Sequence, residues 1–206
     1  AVLNPADVTL NVTVGGDYIT VTSKIYDATN AATITIGESA YRGEFHHDDI
    51  SHLKFSYTAT FANANAGSGI DVSVSELALI ADEGFEYIAD SYKIAAGSKS
   101  FTLKNAGTIN KAPVRVQLNI PEKVYDGTRY VELSPGANIG TLLNAENGST
   151  DWAAAGEKFA DNYSVQAIAA GYDDANVAAG AGGYAKAGTV IGFELVNDLG
   201  GAVNYY

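Results

Sequence analysis

The chain has 206 residues, 24 acidic against 12 basic side chains and a formal net charge of −12; this length suits one large domain or two small ones, with room for a substantial core. Its 47% hydrophobic and 17% charged residues are not the composition of a disordered chain. The absence of Cys excludes disulfides, thiolate metal sites, iron–sulfur clusters and a cysteine nucleophile, and the acidic balance argues against a nucleic-acid partner, whose phosphates call for Lys and Arg.

In chain order, the sequence opens Ala1-Val2-Leu3-Asn4 and holds no Met, which reads as a processed start and as export through a signal peptide. No run of about 18 apolar residues follows, so no membrane span is expected. Val8, Leu10, Val12 and Val14 alternate with Asp7, Thr9, Asn11 and Thr13, the period-2 pattern of a half-buried strand that Gly15-Gly16 then breaks. Ile19, Val21 and Ile25 resume it. Further strands are expected at Ala32 to Ile36, Leu53 to Phe61, Ile70 to Ile80, Ser100 to Lys104, Val114 to Ile120, Tyr130 to Leu133, Tyr163 to Ala169 and Val190 to Val196. Punctuation such as Asp126-Gly127 and Asn147-Gly148 separates them. Strands without helical crossovers predict antiparallel pairing in an all-β sandwich or barrel. Ser149 to Asp161, Ala-rich and capped by Thr150 or Asp151, predicts a short inserted helix. Ala170 to Lys186 reads as a low-complexity connection, and no internal repeat stands out.

Constellations that carry chemistry are sparse. All three histidines fall in His46-His47-Asp48-Asp49 and His52, residue types that suit zinc, but at a spacing that matches no standard ligand pattern. The expectation is a solvated loop with no metal and no cofactor. The pairs Asp48-Asp49, Asp82-Glu83 and Asp173-Asp174 are adjacent residues rather than converging carboxyls, and no calcium loop, nucleophile elbow, zinc-protease or nucleotide motif occurs. An enzyme is not expected. Phe85, Tyr87 and Tyr92 offer a sugar platform, weighed against a core role. Asn11, Asn147 and Asn162 open glycosylation sequons.

The two ends carry a resemblance. Tyr163 to Ala170, an Ala/Gly-rich connection, and Ala187-Gly188-Thr189-Val190-Ile191-Gly192-Phe193-Glu194-Leu195-Val196 resemble the last two strands of chaperone–usher pilins, and Tyr205 stands at the penultimate position. The cysteine-free composition and N-terminal alternation are similar to those of class 5 colonisation-factor pilins, and the final Tyr-Tyr to that of kappa-type fimbriae. The resemblance implies an incomplete immunoglobulin-like antiparallel β-sandwich over residues 17–206, with the helix inserted near 150–161. Residues 1–16 would be a donor-strand extension that completes a neighbouring subunit. Val8, Leu10, Val12 and Val14 would be donor side chains, and Ile191, Phe193 and Leu195 would line the acceptor groove. The protein would then be a structural subunit of a cell-surface pilus or fimbria serving adhesion. It would polymerise head-to-tail with identical subunits, aided by a periplasmic chaperone and an outer-membrane usher. Two alternatives are an archaeal or other surface-filament protein using donor-strand complementation, and a monomeric carbohydrate-binding β-sandwich.

Overall fold

The computed structural model describes residues 3–46, 48–144, 163–173, 175, 187–198, 200–201 and 203–206. Its class is all-β. The contacts divide the chain into two compact units, Ala1–Asn110 and Lys111–Tyr206.

The first unit is built from β1 (Ala6–Val8), β2 (Ile19–Thr22), β3 (Lys24–Ile25), β4 (Thr33–Ile36), β5 (Leu53–Phe61), β6 (Gly67–Ala81), β7 (Tyr92–Ile94) and β8 (Phe101–Asn110). One-turn helices α1 (Glu38–Tyr41) and α2 (Glu86–Ala89) link them. A four-stranded sheet runs β3-β8-β6-β5, and β2-β4 and β1-β7 form two-stranded sheets. Two of these pairings, β1 with β7 and β3 with β8, are parallel, which corrects the expectation of antiparallel pairing throughout. Ile19 and Ile34 from the small sheet pack with Phe61, Ile70, Val72, Leu103 and Ile109 of the large one. A second cluster joins Val8, Leu10, Tyr92 and Ile94 to Leu53, Leu77 and Ile88. Gly107 is required here, because a Cβ would come within 2.5 Å of the Phe61 ring.

The second unit contains β9 (Val114–Leu118), β10 (Tyr130–Val131), β11 (Gly140–Asn144), β12 (Tyr163–Tyr172) and β13 (Gly188–Asn197). Its sheets run β10-β12-β13 and β11-β9. Ala112, Val131, Ile139, Leu142, Tyr163, Val165, Ala170 and Tyr205 are buried, and the Tyr163 and Tyr205 rings meet edge-on at 5.3 Å. The expected helix at Ser149 to Asp161 lies outside the described residues.

The two units follow one plan, so the chain does hold an internal repeat. In the first, the Ala6 N–H donates to Ser91 O at 2.9 Å and β1 runs parallel to β7. In the second, the Ala112 N–H donates to Asn204 O at 2.9 Å and Ala112 bridges Tyr205 in parallel. Ile19 pairs with Ile36 antiparallel, as Leu118 does with Gly140. The Phe61 N–H donates to Asn30 O at 2.7 Å, and the Tyr172 N–H to Arg129 O at 2.8 Å. The antiparallel hairpin β5-β6 therefore has its counterpart in β12-β13. Each hairpin carries a residue of positive φ in its second strand, Glu76 at 57° and Gly192 at 71°.

Candidate functional site: a lysine-latched turn in each unit

The most specific polar arrangement occurs twice. Lys24-Ile25-Tyr26-Asp27-Ala28-Thr29 and Lys123-Val124-Tyr125-Asp126-Gly127-Thr128 lie 99 positions apart, Lys24 to Lys123. In each, the aspartate folds its side chain over the next turn, as Asp does where its carboxylate can reach the backbone two residues on. Asp27 Oδ1 accepts from the Thr29 N–H at 2.9 Å and the Thr29 hydroxyl at 2.8 Å. Asp126 Oδ1 accepts from the Thr128 N–H at 2.8 Å and the Thr128 hydroxyl at 2.9 Å. The turn needs a left-handed residue in third place, where Ala28 sits at φ 61° and Gly127 at 77°.

The lysine closes the turn from inside. Lys24 Nζ donates to Thr29 O at 3.0 Å, Thr29 Oγ1 at 2.8 Å and Ala31 O at 3.2 Å, and lies 2.6 Å from Asp27 Oδ1. Lys123 Nζ donates to Thr128 O at 2.9 Å, Thr128 Oγ1 at 2.9 Å and Tyr130 O at 2.7 Å, and lies 2.7 Å from Asp126 Oδ1. The lysine side chains are only 19% and 16% exposed. Such a stem lies on apolar surface while its head satisfies carbonyls that water reaches poorly. Burial pushes the Asp27 carboxyl upward, but the Lys24 ammonium and the Thr29 donors outweigh it and hold it below the usual range. The Lys123 ammonium, then the Thr128 backbone and hydroxyl donors, draw Asp126 down to about 2. Each ammonium has three protons and four oxygens around it. The arrangement is an electrostatic clip that fixes a chain reversal, with the ammonium protons engaged by the turn's own oxygens.

The residues singled out from the sequence fall elsewhere. Val8 is fully buried and Leu10 buried in the first unit's own core, whereas Val12 and Val14 are exposed. The alternating segment is laddered only over Ala6–Val8; beyond it, the Leu10 N–H donates to the Ser98 hydroxyl and the Thr9 N–H to Glu44. Ile191, Phe193 and Leu195 lie on β13, with Ile191 and Phe193 exposed and Leu195 half-buried. The histidines do not converge. The His46 N–H donates to the Tyr92 hydroxyl, which donates to Asp49, and His52 stacks on Phe85 at 3.8 Å. His47 lies outside the described residues, and among the described residues no group of three His, Asp or Glu is placed to hold a metal. Tyr92 is buried, with its hydroxyl pKa raised chiefly by that burial, so it does not join Phe85 and Tyr87 in an exposed platform. Asn11 accepts from its own Thr13 in an exposed turn, and Asn147 and Asn162 lie outside the described residues. Among the described residues, no helix is long and apolar enough to cross a membrane.

Residues 7–91 match the model of the YDG domain. No curated protein and no solved structure matches the chain. The family match overturns the resemblance to chaperone–usher pilins: the matched span takes in the segment read as a donor strand and belongs to no pilin family. The pilus, the fimbria and strand exchange between pilin subunits fall with it. The match covers the latched turn Tyr26-Asp27-Ala28, and the second unit spells Tyr-Asp-Gly at 125–127 in the same place. Sequence reasoning passed over this site, although its signal was present: a Lys, Tyr, Asp and Thr string repeated with identical internal spacing.

Proposed function

We propose that the chain is a non-catalytic structural length of a tandem-repeat protein working outside the cell, in which each unit of about 100 residues serves as a folded spacer. The observation that carries this reading is the recurrence of one latch and one strand plan in both units. The duplicated features hold backbone in place. Twenty-four acidic side chains against 12 basic ones support a solvated surface rather than contacts to nucleic-acid phosphates. Without Cys, each unit has only its hydrogen bonds and core to hold it, with no disulfide. The packing of the β2-β4 sheet on the β3-β8-β6-β5 sheet supports a two-layer sandwich for the first unit.

Single-molecule stretching of the whole chain between handles tests this. Two discrete unfolding events are expected, each releasing roughly 35 nm of contour at about 3.5 Å per residue. A single event of twice that length, or extension without any discrete event, would contradict a pair of independently folded spacers.

A further inference from the structure

The two hairpins differ along one edge. In the first unit β6 is bonded to β5 on one side and to β8 on the other. Strand β8 also runs beside β3, pairing Lys24 with Ile109 and Ile25 with Asn110, and the Tyr26 N–H donates to Asn110 O at 2.8 Å. One strand thus closes both the sheet and the latched turn. In the second unit, among the described residues, β13 is bonded to β12 alone. Ile191 is 64% and Phe193 45% exposed. A long edge strand with apolar side chains in water is a template for pairing.

We propose that the outer edge of β13 is a docking edge for one closing strand of the repeat's own kind, with the pattern of Phe101–Asn110. The occupant follows from the shared plan. In the first unit the strand in that place buries Leu103 and Ile109 and carries a single charged residue, Lys104. It is a glycine, Gly107, that lies against Phe61. Tyr172 holds the position of Phe61 in the second unit, so the incoming strand needs a small residue there and apolar residues at alternate positions around it. Main-chain hydrogen bonds to β13 would set its register, and its far end would lie beside Lys123-Val124 as Ile109-Asn110 lies beside Lys24-Ile25. A second copy of this chain is a poor source, because its own Phe101–Asn110 is already paired within its first unit.

This inference rests on the duplicated plan of the units and is independent of their mechanical role. The test appends a copy of Ile94–Asn110 after Tyr206, which stands where Lys93 stands in the first unit, and follows hydrogen exchange at 188–196 in the full chain. The outward-facing β13 amides are expected to exchange about tenfold more slowly or better, with β6 unchanged. An appended copy carrying Leu103→Asp and Ile109→Asp is expected to give no protection. Unchanged exchange, or equal protection from the altered copy, would overturn the proposal. Protection that rises with concentration in the chain without the appended segment would also overturn it, assigning the edge to a second copy instead. Two unfolding events under force remain expected in every case, so the two proposals fail separately.

Discussion

Replacing Lys123 by Met isolates the latch, because Met keeps most of the apolar stem and removes the ammonium. Three hydrogen bonds vanish, to Thr128 O, Thr128 Oγ1 and Tyr130 O. A hydrogen bond to a charged group contributes about 1.5–3 kcal/mol, and an acceptor left dry costs about 1–3 kcal/mol. One side chain makes all three and the turn is open on its outer face, so the sum is well short of additive. The expected loss is about 2–4 kcal/mol. The pairing with Asp126 adds nothing to that figure, since the carboxylate is solvated and an exposed ion pair is worth little. Lys24→Met should cost the first unit a similar amount, since its ammonium meets the same set of atoms. Native-state hydrogen exchange on the whole chain reads each unit separately. Lys123→Met should lower the opening free energy of amides in 111–206 and leave the core amides of β5, β6 and β8 within about 0.5 kcal/mol of the parent. A loss below about 0.5 kcal/mol in the altered unit, or equal losses in both units, would refute the latch as a local clamp.

Two further outcomes follow from the same turn. Asp126 is held at about 2, below the ordinary carboxyl value of about 3.9, so its contribution is present above about pH 4 and is lost as pH falls through about 2. An NMR titration of the Thr128 amide should show that window in the parent and a return towards the ordinary value in Lys123→Met; a parent carboxyl titrating near 4 would contradict it. Ala28 occupies the left-handed conformation that Gly127 occupies in the second unit, and an L-residue there carries about 1–2 kcal/mol of strain. Chemical denaturation should therefore show Ala28→Gly stabilising the first unit by about 0.5–1 kcal/mol and Gly127→Ala destabilising the second by about 1 kcal/mol, and the opposite order would show that the turn does not set these angles.

Much of the strand content was legible because a half-buried strand writes its period into the sequence. Leu53 to Phe61 was read to the residue as β5, and β6, β12 and β13 were read within a few residues of their ends. Strands β7 and β11 were not. Tyr92-Lys93-Ile94 is too short to establish a period, and Leu142-Leu143 places two apolar residues side by side. The N-terminal alternation was real but incomplete as a strand signal. It predicts that Val8 and Leu10 face inward, as they do, yet it says nothing about which backbone groups receive the ladder. The Ser98 hydroxyl and Glu44 take over where a strand partner ends. The two parallel pairings join segments far apart in the chain, a relation that local periodicity does not carry.

The repeat was harder to see for a reason that also explains the misplaced resemblance. Between the units the apolar positions change: Ile19 stands where Leu118 does, and Phe61 where Tyr172 does. A core accepts such exchanges if volume and patterning are kept, so apolar alternation identifies a strand without identifying its family. The Gly15-Gly16 segment shifts the spacing further: Ala6 and Ala112 lie 106 positions apart, whereas Lys24 and Lys123 lie 99 apart. A search for self-similarity at one fixed interval therefore loses the match part-way. What survives is the set of residues whose polar atoms must meet at fixed distances. A lysine long enough to reach two carbonyls from beneath, an aspartate short enough to fold back over its own turn, and a threonine supplying both a donor and an acceptor have few substitutes. The pilin resemblance drew on the interchangeable part of the sequence, namely alternating Val and Leu and terminal tyrosines. The latch draws on the part that stereochemistry constrains, and the match to residues 7–91 spans its first copy.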